Sequence, residues 1–296
     1  MEKIPVAKPA IGRDEISGVT AVLESGILAS GERVAEFERN YAGYCGTMHA
    51  VAINNGTAAL HAALLAAGIG PGDEVIVPSF SFFATASAVS MCGAKPVFAD
   101  VDESTFNLDP VKAEDLVTSK TKAVVGVHLF GQPFDVGAVQ ETCRNHGLKL
   151  IEDAAQAHGA QYRGKKTGCL GDFGCFSFYA TKNMTTGEGG MVTTGEKDYA
   201  DRLRLIISHG QSEKYYHTRL GYNYRMTDLA AAIGIAQLKK LDTFNDRRQQ
   251  NAGYYDTHLS VKGLLTPVTA PGMQHVYHQY VIRVTDEFPM SRQEFI

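Results

Sequence analysis

Lys182 stands in SFYATKNMTTGEGGM, residues 177–191, where an apolar run gives way to threonines and glycines before a second apolar run. A lysine amine held in a cleft and partly stripped of water has a lowered pKa and can form a Schiff base with a carbonyl. The same lysine in an ordinary loop is only a solvated side chain. Ser177 precedes it on the apolar run. Asp153 and Gln156 follow another such run in LIEDAAQAHG. A carboxylate there can pair with a cationic ring nitrogen, or merely cap a helical turn. Gly56 and Thr57 begin an alanine- and leucine-rich stretch directly after AVAINN. The first N–H groups of a helix are unpaired and suit a phosphate, although Thr57 would also serve as a simple cap. Phe82 in PSFSFFATA can cover one face of a flat ring or pack into a core. GYNYRM offers Asn223 and Arg225, or a turn with a cap. Together, a phosphate cradle, a carboxylate, a lysine and a flat aromatic describe a site for pyridoxal 5′-phosphate (PLP), which has a phosphate, a pyridine ring and an aldehyde.

These residues need elements that present them together. The spacing of apolar residues predicts helices over RDEISGVTAVLES and ERVAEFERNYAGY, separated by the loop SGILASG. Strands are expected at AVAINN, DEVIVPSF, AKPVFADVD, TKAVVGVHLFG and LKLIEDAA, alternating with helices such as GTAALHAALLAAG and VGAVQETCRNHG. Such apolar strands imply an α/β fold with a mostly parallel central sheet flanked by helices. Ligands of such sheets sit at the carboxyl ends of the strands, where the candidate residues fall. Further helices are read over 197–208 and 226–241, and VYHQYVIRV reads as an alternating strand. A large domain is therefore expected over 13–241. A small C-terminal α+β domain would start at 242–296, with residues 1–12 packing nearby.

The composition narrows the function. The chain has 296 residues, 44% of them hydrophobic, and a formal net charge of −4. No basic tract points to nucleic acid, and no apolar run approaches a membrane span. The segment MEKIPVAKPAIGRDE has no signal-like apolar stretch, so a cytoplasmic location is expected. Five cysteines without a CxxC pair argue against a disulfide framework or a zinc site. GAQYRGKK has the spacing of a phosphate loop, but Lys166 stands where Ser or Thr would reach magnesium, so a surface hairpin is expected. GIGPG follows a helix, which excludes a dinucleotide fingerprint. His275 and His278 would point to opposite faces of a strand, so no metal is expected there.

The stretches NGTAALHAAL, GDEVIVPSFSFFATA, PVFADVD, VHLFGQPFD, IEDAAQAHGA, GDFGCFSFYATKNMTTGEGGM and GYNYRMTDLAAAIGIAQL together resemble the DegT/DnrJ/EryC1/StrS family of PLP-dependent sugar aminotransferases, within fold type I. The resemblance implies roles at matching positions. Lys182 would carry the cofactor, Asp153 would pair with the pyridine nitrogen, and Gln156 would lie by the ring hydroxyl. Ser177, Gly56 and Thr57 would hold the phosphate. Phe82 would stack on the ring, with Ala155 against its other face. Asn223 would reach the phosphate in a neighbouring subunit, which implies a homodimer with shared active sites. The implied reaction moves an amino group from an amino acid, L-glutamate, to a nucleotide-linked keto sugar. Two rival readings are a PLP-dependent sugar dehydratase, which would have a histidine in place of Lys182, and a non-catalytic regulatory relative. The chain departs from the family by stopping at SRQEFI, inside an expected helix, where members continue for several tens of residues. Ala180 stands where proline is common.

Overall fold

The computed structural model describes residues 7–296. Its centre is a seven-stranded sheet of β1 (His49–Ile53), β2 (Glu74–Pro78), β3 (Lys95–Ala99), β4 (Thr121–Val127), β5 (Lys149–Asp153), β8 (Phe173–Ser177) and β9 (Gly190–Thr194), in the order β1-β9-β8-β5-β4-β2-β3. β9 runs antiparallel to both β1 and β8, and the other neighbouring strands are parallel. β2, β8 and β9 are buried at every position, so both faces of the sheet must be covered. Helices α3 (Gly56–Ala66), α4 (Ala84–Met91) and α7 (Lys197–Ile207) pack on one face around Val51, Leu64, Val77 and Ile206. On the other side lie α2 (Glu32–Cys45), after α1 (Arg13–Ser25), and α6 (Val136–His146), after the short α5 (Pro110–Asp115). α2 packs Phe37 and Tyr41 against Phe176 and Phe178 of the chain leading to Lys182. Each such side chain contributes roughly 1.5–3 kcal/mol on burial, so the lysine loop hangs from one of the firmest parts of the core.

The hairpin expected in GAQYRGKK is present as β6 (Gln161–Tyr162) and β7 (Lys165–Lys166). A smaller hairpin, β10 (Gln211–Glu213) with β11 (Tyr216–His217), interrupts the segment before α8 (Asp228–Leu238). The helix read over 226–241 is α8, which starts at its Thr227 cap. A second helix, α9 (Leu241–His258), follows almost at once. α9 has a largely polar sequence, so its apolar periodicity was weak. The expected boundary at 242 falls one residue inside it. Of residues 1–12, residues 1–6 lie outside the described residues. Ala10 and Gly12 pack near α8, where Gln237 donates to the Ala10 carbonyl and Lys240 pairs with Glu15.

VYHQYVIRV is not the strand its alternation suggested. Within it, the strand β14 covers Arg283–Val284, which pairs with β12 (Leu264–Leu265), while β13 (Met273–Gln274) joins the β6 hairpin. Residues 275–279 run irregularly because their backbone groups bond to the large sheet's loops. The Val276 N–H donates to the Gly131 carbonyl at 3.0 Å, and the Gln279 N–H to that of Phe130 at 3.3 Å. The chain ends in the short α10 (Arg292–Phe295), capped by Ser291. Among the described residues, no helix is long and apolar enough to cross a membrane, and no cluster of side chains could hold a metal ion.

Candidate active site

A cavity of about 820 Å³ opens at the carboxyl ends of β1, β4, β5 and β8. Gly56, Thr57, Phe82, Asp153, Ala155, Gln156, Ser177 and Lys182 all line it. These residues come from five separate stretches of chain, and the parallel sheet brings them to one edge.

Lys182 sits where the chain reverses between β8 and β9. Its N–H donates to the Tyr179 carbonyl at 2.9 Å. The turn beyond it is closed by Thr185 and Thr186, which bond to the Phe178 carbonyl, and by Gly187 at φ 85°. Asn183 ties the same turn to Asn245 and to the Val276 carbonyl. Burial lowers the pKa of the Lys182 amine, and the nearby Asp153 carboxylate opposes that shift. Among the described residues, the amine has no hydrogen-bond or ion-pair partner. It is therefore a held, partly dehydrated amine.

Asp153 ends β5. Thr85 donates to its Oδ2 at 2.8 Å, and the Ala155 N–H to its Oδ1 at 3.2 Å. The carboxylate thus does cap a turn, and it lines the cavity as well. Burial pushes its pKa up, against these two hydrogen bonds and the charge of Lys182. A carboxylate with this burden gains when a cation comes alongside. Its neighbour Glu152 serves the opposite face of the sheet. Fully buried, it accepts from the N–H groups of Gly168, Leu170 and Gly171, each at 2.8 Å, and lies 3.0 Å from His128 Nε2.

The structure resolves the alternatives at Thr57. Asn55 caps α3, accepting from the Ala58 N–H at 2.8 Å. The N–H groups of Gly56 and Thr57 bond to no other described group, and the helix dipole adds positive potential there. A Cβ at Gly56 would lie 2.6 Å from that of Ser177, so glycine is required for the strand end to approach the helix start. Gln156 Oε1 accepts from the Phe130 N–H at 2.7 Å, which leaves its amide NH₂ free to donate.

PLP fits this set. A donor-rich helix start suits its phosphate, a buried carboxylate suits a cationic ring nitrogen, and a neutral amide donor suits a phenolic oxygen. Lys182 supplies the free amine. Phe82 lines the cavity but is 72% exposed in the single chain. Asn223 lies outside the cavity, exposed, in a bridge with Ser208. Arg225 bonds to Ser208. The cavity also involves Ser81, Tyr179, Glu188, Tyr224 and His278, which sequence reasoning did not single out for the site. Thr85 was missed too, since nothing in its sequence surroundings signals a partner 68 positions away.

The chain matches the DegT/DnrJ/EryC1/StrS aminotransferase family over residues 9–296. It is 45% identical over 301 residues to the GDP-perosamine synthase of Caulobacter vibrioides, covering 100% of this chain and 81% of that protein. It is 46% identical over 307 residues to the spore coat polysaccharide biosynthesis protein SpsC of Bacillus subtilis, covering 99% and 79%. Among solved structures, that of S. venezuelae DesV superposes with a TM-score of 0.91 at 42% identity, covering 95% of this chain and 75% of that one. The match spans the stretches that build the cavity, and the chain belongs to the DegT/DnrJ/EryC1/StrS aminotransferase family.

Proposed function

We propose that the chain is a PLP-dependent aminotransferase that moves an amino group from an amino acid, L-glutamate, to a nucleotide-linked keto sugar. The observation that carries this reading is the meeting of Lys182 and Asp153 in one cavity beside the Gly56–Ser177 cradle. Bound PLP supplies the carbonyl that exchanges amines and the ring that spreads carbanion charge. Lys182 anchors the cofactor, then takes the donor's α-proton and holds it for return, acting as base and then acid. Asp153 keeps a ring nitrogen protonated, with Thr85 steering the carboxylate. Gln156 donates to the ring oxygen. Gly56, Thr57 and Ser177 hold the phosphate, and Phe82 and Ala155 flank the ring. Residues 13–241 form the cofactor-binding unit, and 242–296 begin a smaller one that closes over it. A cytoplasmic location accords with soluble substrates.

The substrate class rests on likeness to a GDP-perosamine synthase, together with the size of the cavity. Lys214, Arg219, Arg225 and the loop 25–31 remain the candidates for contacts beyond this cavity, which none of them lines in the single chain. With L-glutamate as donor, nucleotide-linked keto sugars should turn over, and the free keto sugars should react at least about 100-fold less efficiently, because remote binding energy is lost. Steady-state kinetics on both forms checks this. Equal kcat/KM would move the protein toward ordinary amino-acid transamination. The dehydratase reading is disfavoured by Lys182 itself, and the regulatory reading by an intact constellation.

A homodimer with shared sites follows from two features. Asn223 is exposed and outside its own cavity, and Phe82 and Phe83 are 72% and 78% exposed at the cavity rim. Mixing Lys182→Ala subunits with Asn223→Ala subunits should then restore about a quarter of the wild-type activity, since half the dimers are mixed and each carries one intact site. Subunit exchange is verified by mass spectrometry. Mixed dimers that show no gain would refute sharing.

A further inference from the structure

The reaction described above gives His278 no task, yet the fold places it with care. Segment 275–279 is clasped from three sides. Gly131 and Phe130 accept from Val276 and Gln279, Asn183 donates to Val276, and Arg248 donates to the carbonyls of Tyr277 and His278 at 3.0 and 3.1 Å. Tyr277 has φ 44° and Phe130 φ 58°, a backbone region that L side chains rarely adopt. A Cβ at Gly131 would lie 2.9 Å from the His278 nitrogen. The result is an imidazole on the wall of the cavity that holds Lys182 and Gln156. Neither ring nitrogen bonds to a described group, and Nδ1 is sealed from solvent. A sealed polar atom without a partner costs stability, so its retention points to a partner that arrives during the reaction.

The charges around the ring narrow that partner. Lys182 from the β8–β9 turn, Arg248 from α9 and His158 from the turn after β5 all face it, while Asp153 and Glu188 line the same cavity. Burial, with the positive charges of Lys182 and Arg248, lowers the His278 pKa to about 3. The ring is therefore neutral near neutral pH and keeps an open lone pair. A second cation at this place would repel the lysine, and a carboxylate would hold its proton too firmly.

We propose that His278 is a positioning residue for Lys182: its uncharged ring accepts a hydrogen bond from the Lys182 ammonium whenever that amine is disengaged from the cofactor, and so keeps amine and proton beside the reacting carbon. This rests on the reading of Lys182 given above.

The test uses the full chain, with His278→Phe to keep a flat ring without an acceptor and His278→Gln to keep an acceptor. The apparent pKa of Lys182 is read from the pH dependence of PLP capture by the apo-protein, followed by absorbance. In His278→Phe it should fall by about one pH unit, because a hydrogen bond to the charged amine is lost. The half-reaction with L-glutamate, followed by stopped flow, should slow by about 10–100-fold. His278→Gln should recover most of both. An unmoved pKa in His278→Phe overturns the inference, whatever the rate, since a slow variant with an unmoved pKa reports packing alone. If His278→Phe does not fold, His278→Ala is read by the same titration. If the wild-type protein forms no absorbance band with PLP, the cofactor reading of Lys182 fails, and this inference fails with it.

Discussion

Replacing Lys182 with alanine is expected to abolish covalent capture of PLP and to cut turnover by at least about four orders of magnitude. Two tasks are lost at once, the anchor and the proton carrier. No neighbour can take over either task, because the nearby histidines His158 and His278 are both held neutral, with pKa values lowered by burial to about 3. The fold should survive, since the amine has no hydrogen-bond partner among the described residues and its burial favours the uncharged form. Borohydride reduction followed by peptide mass mapping reads the anchor directly. In the wild-type protein the reduced adduct should map to Lys182, and in Lys182→Ala it should vanish. An adduct on another lysine, at saturating PLP, would refute the assignment.

Asp153→Asn should separate activity from stability in opposite directions. An amide cannot hold a cationic ring nitrogen as a carboxylate does. Losing one partner of a buried charge pair costs about 3–5 kcal/mol. Spent at the transition state, that is a loss of roughly two to four orders of magnitude in turnover. The apo-protein should behave otherwise. Burial raises the Asp153 carboxyl pKa, so the unfolded chain gives up that proton first. The contribution to stability is thus fully present below the unfolded value near pH ~3.9 and is lost as pH rises toward the raised folded value. At neutral pH the cofactor-free Asp153→Asn protein should therefore melt at or above the wild-type temperature, with Thr85 and Ala155 still able to donate to its amide oxygen. Thermal melts of both apo-proteins check this. A large fall in Tm would show that Asp153 is a structural group first.

Most of this arrangement was legible in the sequence, because the apolar strands and the polar residues at their ends lie next to each other in the chain. Lys182 follows FSFYAT, Asp153 follows LIE, and Gly56 follows AVAINN, so each site residue carries its own strand as a label. Residues whose role depends on distant packing carried no such label. Thr85 looks like any helix threonine until α4 is laid beside β5. VYHQYVIRV alternates like a strand, but its backbone groups are claimed by Phe130, Gly131, Asn183 and Arg248, so pairing wins over propensity. His278 was discounted with it, since a strand would have turned it away from His275. α9 escaped because its sequence is too polar to show a stripe.

The adjacent carboxylates Glu152 and Asp153 also determine which errors this protein can tolerate. They are consecutive on one strand, so the pleat sends one to the cofactor and the other to the loop at 168–171. A slip of β5 by a single position would leave three amides without their acceptor on one side and bring a wrongly reaching side chain into the cleft on the other. Misfolding and inactivation are thereby the same event, and a misregistered chain has little chance of persisting as a stable but idle protein. For an engineer this makes β5 the strand to leave alone. Insertions belong in the β10–β11 hairpin, where the chain is exposed and no such double reading is written.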